Sequence, residues 1–269
     1  MKTIARLEWR LVMRQHSSYG FILLWVVVLS LLFFIARDTI DFAGYTNMTA
    51  TTANMMLYLL PLFMLISGSF TIASEIENGQ WRLLRTYPLS PAAYIAGKWL
   101  GQWFGQMILF TLSFGLSLMF SLSTGVALPM KWIIVLYRFS SALIAFFLMI
   151  GLAVGSFVST RWQALIVSVS IWFLFVMIWP TMLIAVLNVV PYPFIAPLLK
   201  SVTLLNPAEV VRVAFVVQMG GSAVFGQVYD HLLGQWQKPF GFILLVYATI
   251  YGSAIWLIAA TQLARRRSI

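Results

Sequence analysis

The sequence predicts an all-α polytopic membrane protein with six transmembrane helices. Three observations predict it. Only 9% of the residues are charged against 61% hydrophobic, whereas a soluble domain carries about 25% charged residues. Six predominantly apolar runs are long enough to cross the hydrocarbon. Basic residues stand singly between those runs instead of gathering on one polar face. A surface so poor in charge is not mostly hydrated, so lipid covers much of it. The formal charge of +10 at pH 7 then reads as membrane topology, not nucleic-acid binding. The 269 residues allow one membrane domain and no large soluble catalytic domain. The chain has no cysteine, which excludes disulfides, thiolate metal sites and thiol chemistry.

A basic segment opens the chain. Lys2, Arg6, Arg10 and Arg14 recur every four residues while Ile4, Leu7 and Leu11 occupy another arc, so residues 1–16 form an amphipathic helix lying along the membrane surface, apolar side down. Its length and the lack of a small-x-small cleavage site argue against a signal peptide. The first span follows at 19–36, and the second covers 55–73, with Pro61 as a tolerated kink. The third, at 99–122, carries Gly101, Gly105 and Gly115 as close-approach positions. The fourth covers 132–158 and includes Arg138, so that helix either enters the hydrocarbon late or lets the arginine snorkel. A polar hinge at 159–163 leads to the fifth span at 164–190. The connection 191–239 has an N-cap at Asn206 with Pro207 behind it, opening a short helix through AEVVRVAFVV. A second amphipathic element is expected at 224–236, and 192–217 has room for a re-entrant pair of half-helices without changing the topology. The sixth span, 240–260, ends in QLARRR.

Charge sets the orientation. Eleven of the seventeen basic residues fall on the side of the N-terminus, and with the acids counted the split is +8 against +2. The positive-inside rule places both termini in the cytoplasm.

Chemistry is scarce. Only His16 and His231 are present, neither in an HExxH pattern, and no phosphate-binding loop occurs, so catalysis is not expected and any ATP use is borrowed from a partner. The centres of the six spans hold no acidic residue, which argues against proton- or sodium-coupled transport. The thirteen methionines are scattered and read as flexible packing, not a copper site. The informative segment is 75–98, EIENGQWRLLRTYPLSPAAYIAGK. Gly79 breaks the helix leaving the second span, 80–86 forms a short helical piece exposing Arg82 and Arg85, and Pro88 with Pro91 ends it. A rigid helix held at both ends on the membrane surface is a lever for a soluble partner; a merely basic, turn-rich cytoplasmic loop is the alternative.

These residues carry a resemblance. In SEIENGQWRLLRTYPLSPAAYIAGKWLG, Glu75, Glu77, Gly79, Leu83, Leu84, Pro88, Ser90, Gly97 and Lys98 match the pattern of the membrane subunit of type-2 ATP-binding-cassette (ABC) transporters, the ABC-2 permeases. The resemblance extends over the chain. It implies a coupling helix docking into a groove of a separate ATPase, with Glu75, Glu77, Gly79, Arg82, Leu83, Leu84, Arg85 and Pro88 forming the contact and Arg161 adding to it. It implies a dimer of ABC ATPase subunits that bind ATP and Mg, no cofactor on this chain, a second permease copy or close relative, and export across a bacterial or archaeal cytoplasmic membrane. A pathway lining on the second and fifth spans is implied as well. More narrowly, TYPLSP, RFSSALIAFF, IWFLFV and LLNPAEVVRV resemble the subfamily supporting maturation of nitrous oxide reductase. That likeness implies export of a sulfur species for a copper-sulfide centre with an extracytoplasmic accessory protein. The alternatives are an exporter of unrelated lipid, peptide or drug-like cargo, and a non-transporting anchor or signalling subunit. Arg138 is read as holding a headgroup or closing the outer end of the pathway, or as a simple interfacial anchor. Glu209 and Arg212 are read as a contact for an extracytoplasmic partner, or as an intrahelical pair on a solvated face.

Overall fold

Long apolar runs flanked by capping residues become helices because lipid supplies no partner for backbone N–H and C=O groups. The computed structural model describes residues 2–35, 45–84, 86, 89–125, 128–221 and 240–268, and these contain helices but no strand. In order they are α1 (Lys2–Arg14), α2 (His16–Ile35), α3 (Asn47–Glu77), α4 (Gln80–Leu84), α5 (Pro91–Ser123) and α6 (Met130–Phe157). There follow α7 (Arg161–Trp172), a π-helical turn (Phe173–Ile178), α8 (Trp179–Val189), α9 (Tyr192–Leu205), α10 (Pro207–Gln218) and α11 (Phe240–Ser268). Six are long and apolar enough to cross a membrane: α2, α3, α5, α6, the continuous α7–α8 rod and α11. The expected element at 224–236 lies outside the described residues.

The six expected spans are present, but the helices run past their apolar centres. Thr46 caps α3 in a reciprocal capping box with Thr49, and Ser90 caps α5, its hydroxyl accepting from the Ala93 N–H, with Pro91 at the first helical position. As a result α3 is 31 residues long and reaches Glu77, while α5 begins eight residues before Trp99. Glu75 and Lys98, expected in the polar segment 75–98 between the second and third spans, are therefore helical and face the bundle. Helical hydrogen bonding continues beyond the hydrocarbon wherever polar side chains find partners.

The central contact joins α3 and α6, which run parallel. The Gly151-x-x-x-Gly155 motif on α6 brings backbones together: a Cβ at Gly151 would stand 2.7 Å from the Leu65 carbonyl oxygen, and one at Gly155 2.6 Å from that of Ser69. Of the expected close-approach glycines on α5, Gly101 and Gly105 serve α1, where a Cβ would stand 2.7 Å from Glu8 Cβ and 2.8 Å from Val12 Cγ1, respectively; Gly115 faces open space. Packing on α5 uses a different arc of α1 from Leu7 and Leu11. The buried residues of α1 are Glu8 and Val12, and Leu7 and Leu11 are exposed. The glycines of α5 thus admit the Glu8–Val12 face of α1 to the bundle and leave the Leu7–Leu11 arc facing outward.

Between α8 and α11 the chain turns back on itself. The Asn206 side chain, fully buried, donates through Nδ2 to the Phe175 carbonyl at 2.7 Å and accepts through Oδ1 from the Ala208 N–H at 2.9 Å. Phe175 lies about 21 Å from either end of the α7–α8 rod at 1.5 Å per residue. The tip of the α9–α10 hairpin thus reaches mid-span, and the connection is re-entrant. The π-helical turn explains the pairing. Trp179 N–H bonds back to the Leu174 carbonyl, and the next donor in that register belongs to Pro180, which has no N–H. Asn206 replaces it. Asn206→Leu is expected to strand this carbonyl at about 1–3 kcal/mol and to remove the α10 cap at about 1 kcal/mol, lowering the thermal midpoint in detergent. Asn206→Asp, which keeps the cap but loses the donor, is expected to fall between Asn206→Leu and the natural protein.

Candidate functional site

The side of the bundle that bears both termini carries a buried polar cluster built by three elements. Lys98 on α5 is 1% exposed, and its Nζ donates to Glu8 Oε1 on α1 at 2.6 Å and to Glu75 Oε1 on α3 at 2.8 Å. The Tyr94 hydroxyl also donates to Glu75, while the Lys98 ammonium stands 5.2 Å over the Tyr94 ring. One cation thus serves two carboxylates, and the phenol supplies the additional donor.

The cluster is the first rung of a ladder between antiparallel α3 and α5. Lys98 meets Glu75; one turn further, Gln102 Nε2 donates to Thr71 Oγ1 and to Glu8 Oε2 at 3.4 Å; one turn further again, Gln106 Nε2 donates to Ser67 Oγ at 3.4 Å. Both helices repeat every four residues, so polar side chains meet side by side. In an apolar surrounding such groups must pair with each other, which fixes the register of α3 against α5.

From this clamp hangs α4. Gly79, at φ +74°, takes the left-handed conformation that ends α3 and turns the chain. Trp81 packs edge-to-face on Tyr94 with ring centroids 5.4 Å apart, and Leu84 packs on the small core around Ile72 and Ile95. Arg82 is exposed and Leu83 is 68% exposed. The two leucines, expected to share one role, therefore divide it: Leu84 holds α4 down and Leu83 faces outward. Glu77 accepts from the Arg161 backbone N–H at 3.0 Å and lies 3.5 Å from its Nε, tying the α6–α7 hinge to the end of α3. Exposed Trp162 follows. Arg266 donates to the Phe157 carbonyl at 2.7 Å, closing the end of α6 with the basic tail of α11. Arg85 and Pro88 lie outside the described residues.

The other singled-out residues lie away from this end. Arg138 is on α6, eight residues from its start. Glu209 and Arg212 form an ion pair at 2.7 Å, but Glu209 is 5% exposed and α10 buries most of its residues, so this is not a solvated face. Re-entry of the hairpin is what buries it. The cluster around Glu8, Tyr94, Gln102 and Trp81 was not identified from sequence. Its signal is the four-residue spacing Ser67, Thr71, Glu75 against Lys98, Gln102, Gln106. Among the described residues no group of histidine and carboxylate side chains is placed to hold a metal ion.

The family model described as ABC-2 family transporter protein matches residues 2–264. The chain belongs to the ABC-2 family. Among curated proteins, this ABC-2 chain is 29% identical over 224 residues to the "Probable ABC transporter permease protein NosY" of Stutzerimonas stutzeri, covering 78% of this chain and 81% of that protein. It is 28% identical over 231 residues to the protein of the same name from Pseudomonas aeruginosa, covering 80% and 84%. The membrane helices and these likenesses support an ABC transporter permease subunit. Lys98→Met in this permease leaves the buried Glu8 and the half-buried Glu75 without their cation, at a cost of about 3–5 kcal/mol; a marked drop in folded yield and thermal midpoint is expected. Lys98→Arg, which keeps the charge, is expected to lose much less.

Proposed function

We propose that this permease subunit exports cargo across a bacterial or archaeal cytoplasmic membrane, driven by a separate ABC ATPase that grips α4. The observation that carries the reading is the division of labour in α4: Trp81 and Leu84 fasten it to the clamped ends of α3 and α5, while Arg82 and Leu83 are presented outward beside the Glu77–Arg161 pair and Trp162. An exposed leucine flanked by an arginine, on the terminus-bearing side that the positive-inside rule assigns to the cytoplasm, suits a groove of mixed apolar and acidic character.

Two copies, or this chain and a close relative, face one another, and an ATPase dimer supplies the ATP and Mg chemistry. Closure of the ATPases displaces α4, and displacement passes to α3 and α5 because α4 is fixed to their joined ends. This chain itself changes no covalent bond. The α7–α8 rod is only 11% buried within one protomer and offers its apolar length to the second copy. The narrower reading of the cargo, a sulfur species for a copper-sulfide centre handed to an extracytoplasmic accessory protein, is supported by the motifs shared with that subfamily.

The test separates docking from folding. Leu83→Asp is expected to abolish co-purification of the ATPase while the permease keeps its yield and thermal midpoint. Leu84→Asp is expected to destabilise the permease itself, because it buries a charge in the core beneath α4. An undiminished ATPase complex with Leu83→Asp would overturn the assignment of α4. In vesicles reconstituted with both subunits, ATP-dependent cargo movement is expected of an exporter and not of an anchor, and mass spectrometry of the released molecule tests the sulfur reading.

A further inference from the structure

A cleft of about 820 Å³ opens between α5, α6 and α11. Ala142 and Ala145 on α6 face Ala248 and Gly252 on α11 across it, Phe146, Met149, Leu244 and Leu245 complete its apolar sides, and Trp99 and Trp256 stand at its deep end. Both indoles are fixed there, Trp99 donating to the Ala145 carbonyl and Trp256 to the Ala92 carbonyl, each at 3.1 Å. The hydroxyls of Thr249 and Ser253 bond back to their own helix at 2.8 and 2.9 Å, so the wall is effectively apolar. On α6 the lining runs from Met149 to Arg138, about 17 Å along the axis, close to the ~15 Å hydrocarbon depth of one leaflet.

Arg138 stands at the shallow end. It is exposed and also borders a second cavity of about 250 Å³ between α6 and α10. By its place on α6 it lies about 12 Å below the helix end. The carboxylates among the described residues are engaged elsewhere: Glu8 and Glu75 with Lys98, Glu77 with Arg161, and Glu209 with Arg212. No ion pair to Arg138 is formed among the described residues. With no ion pair formed among the described residues, this exposed guanidinium is open to an anion from the membrane, and it crowns an apolar slot one leaflet deep.

We propose that the α5–α6–α11 cleft is a binding site for an anionic phospholipid of the leaflet opposite the termini, its phosphate paired with Arg138 and an acyl chain lying down the slot to Trp99 and Trp256. A planar guanidinium matches a phosphate bidentately, and the surrounding membrane supplies the ligand at high local concentration. The cleft lies apart from α4 and the α7–α8 rod, so the lipid is a resident component of the protomer and not its cargo.

The test uses the intact permease–ATPase complex in neutral detergent, titrated with phosphatidylglycerol or phosphatidylcholine of identical chains and read by native mass spectrometry. The natural protein is expected to retain phosphatidylglycerol at least fivefold over phosphatidylcholine. Arg138→Gln is expected to erase that preference while leaving the mass and ATPase content of the complex unchanged. Gly252→Leu is the second variant: a Cβ there meets nothing within 4 Å, so the leucine fills the slot without displacing backbone, and both lipids are expected to be lost. Equal retention of the two lipids by the natural protein would overturn the proposal. So would a phosphatidylglycerol preference that survives Arg138→Gln, or complete displacement of the lipid by millimolar inorganic phosphate, which would assign Arg138 to a free anion.

Discussion

The molecule depends on one buried ammonium. Lys98 is enclosed by carboxylates from α1 and α3, elements separated from it by 90 and 23 positions in the chain. The buried Glu8 carboxylate would be costly without the cation, and the buried cation would be costly without its carboxylates. The three helices therefore come together or not at all. Gly101 and Gly105 make the approach of α1 possible, and the Gln102–Thr71 and Gln106–Ser67 rungs extend the same register towards mid-membrane. The amphipathic helix α1 is thereby packed on the bundle through its Glu8–Val12 face, and α4, anchored on Tyr94 and the adjoining core, inherits a firm base.

The same accounting of polar groups governs the opposite half. A π-helical turn followed by a proline leaves a carbonyl exposed in the middle of the α7–α8 rod, where no water replaces the lost donor. Asn206 reaches that carbonyl only because α9 and α10 dip back from the surface. The re-entrant hairpin and the irregular rod require each other, and α10 then fills the space beside α6, with Phe215 on Phe139 at a centroid distance of 5.0 Å. The parallel packing of α3 on α6 through Gly151 and Gly155 connects the two halves.

The architecture was largely legible in the sequence because apolar length and charge asymmetry report directly on lipid. The six spans, the break at Gly79 and the N-cap at Asn206 could be read one segment at a time. What could not be read this way depends on pairing between distant segments. In sequence Lys98 reads as one more cation on the side of the termini, because a lysine beside an apolar run ordinarily snorkels, and nothing local reveals that Glu8 will meet it. Leu83 and Leu84 look alike in sequence; only the packing of α4 separates the one that anchors from the one that is presented. The π-helical turn begins within IWFLFV and runs on to Ile178, in an apolar stretch without a breaker until Pro180, so its second partner for Asn206 had no local signature.

The central claim is that α1, α3 and α5 form a single body through which movement of α4 is passed on. Its most direct test is a distance between α1 and α5 in the working complex. The chain contains no cysteine, so spin labels can be attached at Leu11→Cys and Phe104→Cys, both exposed sites, without altering the background. Electron paramagnetic resonance on the permease–ATPase complex is predicted to give the same α1–α5 distance distribution with and without ATP. A distribution that shifts or splits when ATP binds would mean that the Lys98 clamp opens during the cycle, contradicting the account.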